Sequence, residues 1–563
     1  MTVSPVATAC CLAAGMLLAA CGQPQSPSGQ ATASVAESPG PVSSRLPGPV
    51  PRFVDETLAS GLSHRYLGER KFVVGGGVAS FDCDANGLTD LYLAGGEAPA
   101  RLLRNNSTAG GALSFLTQTM PQTSLENVTG AYALNVDGDA HVDLMVLRYG
   151  ENILLRGLGD CRFARANETW GFDGGDAWTT AFAAIWEEGQ SWPTLAVGNY
   201  IDLDQPGAPF GTCHANQLYR PKSGGGFAAP LSLEPGYCAL SMLFTDWNGD
   251  GLADLRISND REYYRGGEEQ LWHVPAGAAP RPYGRDEGWA QLQVWGMGIA
   301  SHDVTGDGLP DYFLTSMADN KLRSLQSGAA APAYSDIALA RGVTAHRPYR
   351  GDQSKPSTAW HAEFQDINND TLADLFIVKG NVEAMEMFAM DDPNNLLLGQ
   401  PDGSFSEAGA VAGLDSGLRG RGGAVVDLNA DGLLDVVVVN RKDPAEVWRN
   451  LGLGTAGASA APANWLRLRL RQADGNREAV GSWIELRSGD RVQRRELFVG
   501  GGHASGGIGW MHFGLGAAQT AEVRVRRPQG DWGAWHQVSA DSYVEIRQEP
   551  GGAEVVAHIG PSD

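Results

Sequence analysis

Six times along this chain an apolar strand runs into a short acidic loop and leaves as a second apolar strand. The outgoing strands are almost uninterrupted, as in Leu144-Met145-Val146-Leu147 and Val436-Val437-Val438-Val439. Short aliphatic and β-branched runs bounded by Asp, Asn and Gly predict buried strands. From Asn464 the pattern changes to alternation. Leu466, Leu468 and Leu470 fall on one face and Arg467 and Arg469 on the other, which predicts a half-buried strand. Further strands are expected near Trp483–Arg487, Arg494–Val499, Ala521–Arg526 and Ser542–Arg547. The predicted fold class is all-β.

The acidic loops share one register of nine positions. Positions 1, 3, 5 and 9 carry Asp82, Asp84, Asn86 and Asp90 in the first loop, and Asn135, Asp137, Asp139 and Asp143 in the second. The third has Asp246, Asn248, Asp250 and Asp254, and the fourth Asp303, Thr305, Asp307 and Asp311. Asp366, Asn368, Asp370 and Asp374 form the fifth, and Asp427, Asn429, Asp431 and Asp435 the sixth. First positions are spaced by 53, 111, 57, 63 and 61 residues, so one repeat inside the long gap has lost its acids. It is Trp186 to Thr194, followed by Leu195-Ala196-Val197, and it should not bind a cation. Seven repeats of this length predict a seven-bladed β-propeller, in which a closed ring protects the strand edges.

Alternating oxygen donors on a tight turn suit calcium, a hard cation that takes six to eight oxygen ligands. Position 6 is glycine in four loops, where a sharp turn favours positive φ. Position 12 is Leu93, Val146, Ile257, Leu314, Ile377 or Val438, not the glutamate of a helix–loop–helix site. No His or Cys stands at a ligand position, which disfavours zinc. The crowding of protein oxygens disfavours magnesium. About six structural Ca2+ ions are expected.

The repeats over residues 51–452 resemble the FG-GAP/VCBS family, whose propeller is shared by integrin α heads. A Gly/Ala/Ser-rich linker, 453–463, leads to a domain at 464–550, expected to be a small β-sandwich or barrel, and a tail at 551–563. That domain resembles ASPIC/UnbV. The matching stretches are Asn476–Gly481, Gly501-Gly502-His503-Ala504-Ser505, Phe513-Gly514-Leu515-Gly516 and Val525–Gly530, with Arg527 where that family usually has Trp. The combination resembles the cartilage acidic protein family and its bacterial relatives. It implies a secreted calcium-binding scaffold and brings no catalytic residues. His503 and Ser505 read as a glycine-rich turn.

Residues 1–20 are apolar and uncharged and end Leu18-Ala19-Ala20-Cys21, which resembles a bacterial lipoprotein signal with Cys21 as the lipidated residue. Its first residues carry no Lys or Arg, a departure from such signals. A Pro/Ser/Ala-rich tether, 21–50, follows. The expected location is the bacterial cell envelope, with the chain anchored at the outer membrane or cell surface through its lipidated N-terminus. The net charge of −23 would fall to about −11 with six divalent ions, so much of the acidity is ligand. With no basic patch, nucleic acid is excluded as a partner.

Cys83, Cys161, Cys213 and Cys238 remain as candidate disulfides, Cys213 with Cys238 and Cys83 with Cys161, or as buried thiols. The polar–aromatic loops 259–264 and 349–360 suit sugars or protein side chains, or are surface turns. The methionines of 381–390 read as copper ligands or as a short helix packing them inward. His302 and His361 stand where either could reach the channel. The favoured function is a scaffold for a protein or glycan ligand. The alternative is an enzyme acting on a glycan or in secondary-metabolite tailoring, with its site over the propeller channel.

Overall fold

Each apolar–acidic–apolar unit folds into the start of an antiparallel four-stranded meander. The computed structural model describes residues 49–205, 212–260, 266–328, 330–453, 463–473, 475–549, 552 and 554–559. The signal, Cys21, the tether up to residue 48 and most of the expected linker lie outside the described residues.

Seven such meanders follow one another. Their first strands are Val78–Phe81, Val128–Leu134, Thr179–Ile185, Ala239–Thr245, Gly296–His302, Ala359–Gln365 and Gly420–Val426. Each first strand packs beside the next, and Gly420–Val426 packs beside Val78–Phe81, so the set closes on itself. The last meander takes its outermost strand from Pro51–Asp55, paired with Glu446–Leu453. The chain's beginning thus fastens to the end of the repeats. Apolar residues of neighbouring meanders interlock, as where Phe53, Phe376, Val378, Val436, Val438 and Trp448 share one cluster. Burial on both faces explains why the second strands read as continuous apolar runs.

Residues beyond 463 form two four-stranded sheets. One contains Asn464–Gln472, Met511–Gly516, Ser542–Gln548 and Glu554–Ile559. The other contains Trp483–Ser488, Arg491–Glu496, Thr520–Arg526 and His536–Ser539. Leu466, Leu468, Leu470, Ile484, Phe513, Val523 and Ile546 fill the core between them. Two sequence expectations are corrected. The strand expected at 494–499 ends at Glu496: Leu497 turns into the module's own core, and from Phe498 the chain runs into the ring. The tail expected to follow the domain supplies a strand of it, Glu554–Ile559.

Cys83 is bonded to Cys161 and Cys213 to Cys238. The first bond ties an acidic loop to the neighbouring meander. The segment 381–390 is no helix with inward methionines. Asn381 accepts the Met385 amide and donates to the carbonyls of Met385, Phe388 and Ala389. That arrangement leaves Met385, Met387 and Met390 exposed.

Candidate metal loops and the channel plug

The six acidic loops share a core of local geometry, dictated by which backbone amides their side chains reach. The position-5 oxygen accepts the position-7 amide in every loop, from Asn86 with Leu88 at 2.8 Å to Asp431 with Leu433 at 2.9 Å. The position-1 Oδ2 accepts the position-6 amide in five loops, as in Asp246 with Gly251 at 3.0 Å and Asp427 with Gly432 at 3.0 Å. This places position 6 at positive φ, +87° at Gly251 and +79° at Gly432. Thr371 adopts the same conformation in the fifth loop with φ of 78°. The second loop has Ala140 there, and Asn135 accepts the Gly138 amide instead.

Position 9 lies beneath the loop. Asp90, Asp143, Asp374 and Asp435 each accept the position-2 amide with one oxygen and a third-strand amide with the other. These carboxylates clamp loop to sheet in addition to any role toward a cation. In the first loop, oxygens of Asp82, Asp84 and Asp90 lie within 4.8 Å of one another.

Several oxygens at positions 1 and 3 are buried without a hydrogen-bond partner: Asp246 Oδ1, Asp303 Oδ1, Thr305 Oγ1 and Asn429 Oδ1. An unpaired buried oxygen is costly unless something positive meets it. Burial and neighbouring carboxylates push Asp90 up to about 8 and Asp311 and Asp431 up to about 6. Asp143, Asp366, Asp374 and Asp435 rise well above the usual carboxylate range, chiefly from burial.

Each loop also meets arginine charge. Arg104 pairs with Asp84, and Arg156 bridges Asp137 at 2.7 Å and Asp139 at 3.0 Å, both from the loop's own meander. The C-terminal sheets supply the others: Arg526 to Asp246 at 2.6 Å, Arg494 to Asp303 at 3.4 Å and Arg467 to Asp427 at 3.2 Å. Arg495 lies close enough to act electrostatically on Asp366. In every loop the three aspartates outnumber the arginines that meet them, and the carboxylate excess suits a cation. The donor set, all hard oxygens, fits calcium.

The repeat without acids shows the alternative solution. Glu187 accepts Thr194 Oγ1 at 2.8 Å, Arg220 Nε at 2.7 Å and the Gly277 amide at 2.9 Å. A buried ion pair holds this turn in place of an acid loop. Glu187→Gln is expected to destabilise the protein by about 3 kcal/mol, equally in calcium and in EGTA. Denaturant melts in both buffers check this. A calcium-dependent difference would rule the assignment out.

The first strands end at the acidic loops, and the channel mouth on that side is filled. Residues 499–508 leave the C-terminal sheets and touch every first strand. Val499 O accepts the Ala184 amide, and Gly501 and Gly502 donate to Met242 and Ile299. Ser505–Gly507 lies parallel between Val78–Phe81 and Val128–Leu134. His503 donates its amide to His361 Nδ1 at 3.0 Å, and its Nε2 accepts the Gly75 amide at 3.0 Å. A Cβ on Gly422 would lie 2.4 Å from Ser505 Oγ. Burial lowers His503 to about 3. Ser505 Oγ donates to His503 O and accepts the Val78 amide. Both side chains are therefore committed to seating the plug, in keeping with the glycine-rich turn. At the opposite end Val74, Trp178, Tyr200 and Trp360 close the channel.

His361 lines the plugged channel and donates to Glu363 at 2.9 Å. His302 is half-buried with its ring against Phe364, and desolvation there, with Arg495 nearby, lowers it to about 3. In the loop at 349–360, Arg350 pairs with Asp415 at 2.9 Å and Lys355 with Asp352 at 3.4 Å. Residues 261–264 lie outside the described residues.

The plug was missed at the sequence level, although a signal exists. Glycines recur near the start of the first strands at Gly77, Gly130, Gly298 and Gly422, matching Gly500 to Gly502. Close backbone approach requires them: a Cβ on Gly77 would lie 1.7 Å, and one on Gly130 2.4 Å, from Ala504 O.

These features define an all-β repeat protein with a second β module seated on its acidic loops. The chain carries an FG-GAP-like repeat at residues 366–438 and an ASPIC and UnbV domain at residues 472–553. No curated protein matches it. Among solved structures it is similar to BBS1N in complex with ARL6DN, at 10% identity and a TM-score of 0.40, covering 72% of this chain and 98% of that one. An Agrocybe aegerita lectin that recognises non-reducing terminal N-acetylglucosamine aligns at 17% identity and a TM-score of 0.38, covering 68% and 92%. PorZ, a surface component of the Porphyromonas gingivalis type-IX secretion system, aligns at 10% identity and a TM-score of 0.37, covering 84% and 60%. Among the described residues no helix is long and apolar enough to cross a membrane.

Proposed function

We propose that this protein is a calcium-binding, lipid-anchored scaffold of the bacterial cell envelope. In this reading its seven meanders are the blades of a propeller over residues 51–452, and the C-terminal β-sandwich, from 464, is a fixed part of the same body. The outer surface presents a protein or glycan ligand with a rigid platform. The observation that carries the reading is the recurrence, six times, of one nine-residue acidic pattern in which the position-5 oxygen accepts the position-7 amide. Each loop has three aspartates, and several have buried oxygens without partners.

Which residues would hold the ions follows from that geometry. Positions 1, 3 and 5 face the loop interior, the position-7 carbonyl is available, and position 9 anchors the loop from below. Bound calcium supplies the positive charge these oxygens lack. The arginines neutralise the remaining carboxylate on the outer side.

Propellers commonly bind ligands over the channel. Here the mouth is occupied by 499–508, which shifts the proposed ligand surface to the loops and the outer edges. Elemental analysis of the purified chain is expected to find about six calcium ions. Capture from a calcium-containing envelope extract is expected to retain a partner that EGTA releases. Protein without bound divalent ions would overturn the metal reading. A partner held equally well in EGTA would show that the ions play no part in presenting the ligand surface.

A further inference from the structure

The six loops are alike in local geometry and unlike in access. The first loop opens, through Asp82, Gly87 and Thr89, onto a cleft of about 420 Å³, and the second borders the same cleft at Ala140 and Val142. In the third, Asn248 and Asp250 are exposed, and in the fourth Asp307 is exposed. The fifth, whose Asn369 is bonded by Gly516 and His512 of the C-terminal module and whose Asp366 and Asn368 are largely buried, still opens through Asp366 and Thr371 onto a cleft of about 350 Å³.

The sixth loop is covered from two sides. The turn at residues 108–111 closes one side: Gly110 donates its amide to Asn429 O at 2.7 Å, and Asn429 Nδ2 donates to Gly111 O at 2.9 Å. The C-terminal module closes the other. Arg467, itself 2% exposed in its side chain, meets Asp427, and a Cβ on Gly432 would lie 2.0 Å from the Trp465 ring. Trp465 is held edge-on by Tyr543. Positions 1 and 3 are shut off by this cover, with Asp427 1% and Asn429 0% exposed, while Asp431 at position 5 stays half-buried at the loop's rim. Asn429 Oδ1, sealed in this space, has no partner.

Resting on the calcium reading above, we infer that the sixth loop is a locked cation site. Its ion enters before the C-terminal module seats, and leaves only when Trp465 and Arg467 lift away. The other five loops exchange with solvent while the module stays in place. The module thus acts as a lid over one ion, and the plug at 499–508, on the same domain, ties lid opening to emptying of the channel mouth.

The test uses the full chain loaded with calcium-45 and then diluted into excess EGTA. About five ions are expected to leave in a fast phase and one in a phase slower by on the order of a hundredfold. The slow phase should match the hydrogen-exchange opening of the Gly501 and Gly502 amides in the plug. Asp427→Asn should abolish the slow phase alone, and Asp82→Asn should spare it. Trp465→Ala should convert the slow ion to the fast class. If that variant does not fold, the match between slow release and plug opening in the unaltered chain decides the matter. Release of all ions in one phase, or a slow ion indifferent to Asp427→Asn, overturns the lock. A chain that binds no calcium at all overturns the underlying metal reading instead.

Discussion

Moving the calcium-loaded protein into EGTA lowers its melting temperature by on the order of 10 °C. The size of the effect follows from the charges. At a hundredfold excess over Kd, each ion that binds only the folded chain contributes about 2.7 kcal/mol. Without ions, carboxylates about 4 Å apart repel by about 4 kcal/mol per pair at an effective dielectric of about 20. The pH dependence is expected to change as well. In the chelated protein Asp90 is raised to about 8 and Asp311 and Asp431 to about 6, all above their unfolded values. The stability these groups contribute is full below about pH 4 and is lost as pH rises through 6 to 8. Chelated protein therefore melts higher at pH 5.5 than at pH 8.5. With calcium present this trend disappears, because acid then competes with the ion. Scanning calorimetry at the two pH values, with and without EGTA, checks both parts. A melting temperature indifferent to chelator would mean the loops close without ions.

The second large effect is expected from Gly77→Val. A Cβ at this position would lie 1.7 Å from the Ala504 carbonyl oxygen and 2.4 Å from its carbon, both backbone atoms. No rotamer relieves such a contact, so either the first meander or the plug must move. The plug enters that sheet as a three-residue strand, Ser505–Gly507, and meets the remaining first strands through isolated contacts, whereas Val78–Phe81 is paired along its whole length with Asp90–Leu93. The plug should give way. The loss is expected to reach about 4 kcal/mol, at the upper end for single substitutions. Trypsin should then cut within 494–526, where the part-buried Arg494, Arg495, Arg524 and Arg526 become accessible. Limited proteolysis and a chemical melt report the outcome. An unchanged digestion pattern would mean that the plug does not seat the domain.

Much of this architecture was legible in the residues because it depends on local rules. A loop that must turn sharply while presenting oxygens shows its Asp and Gly spacing wherever it occurs. Six in-register copies therefore point to the same turn before any contact is known. Apolar runs such as Val436–Val439 likewise report strands buried on both faces. The acid-free repeat at Trp186–Thr194 was legible as a loss. That Glu187 and Arg220 replace the missing charge was not, because Arg220 reaches the turn from 33 residues away. The strand expected at 494–499 illustrates the same limit. Leu497 is apolar because it packs in the module's core, and Phe498 and Val499 because they enter the ring, and periodicity cannot separate either from a sheet face.

The sequence by itself determined the all-β class, the repeat length and the register of the acidic loops, since each is written within a few consecutive residues. Only the tertiary structure decided that a C-terminal segment plugs the channel. It also decided that Arg467, Arg494 and Arg526 face Asp427, Asp303 and Asp246. Those pairings join residues 40, 191 and 280 positions apart. Charge and close packing between such distant segments leave no periodic trace along the chain, and they exist only once two folded surfaces meet.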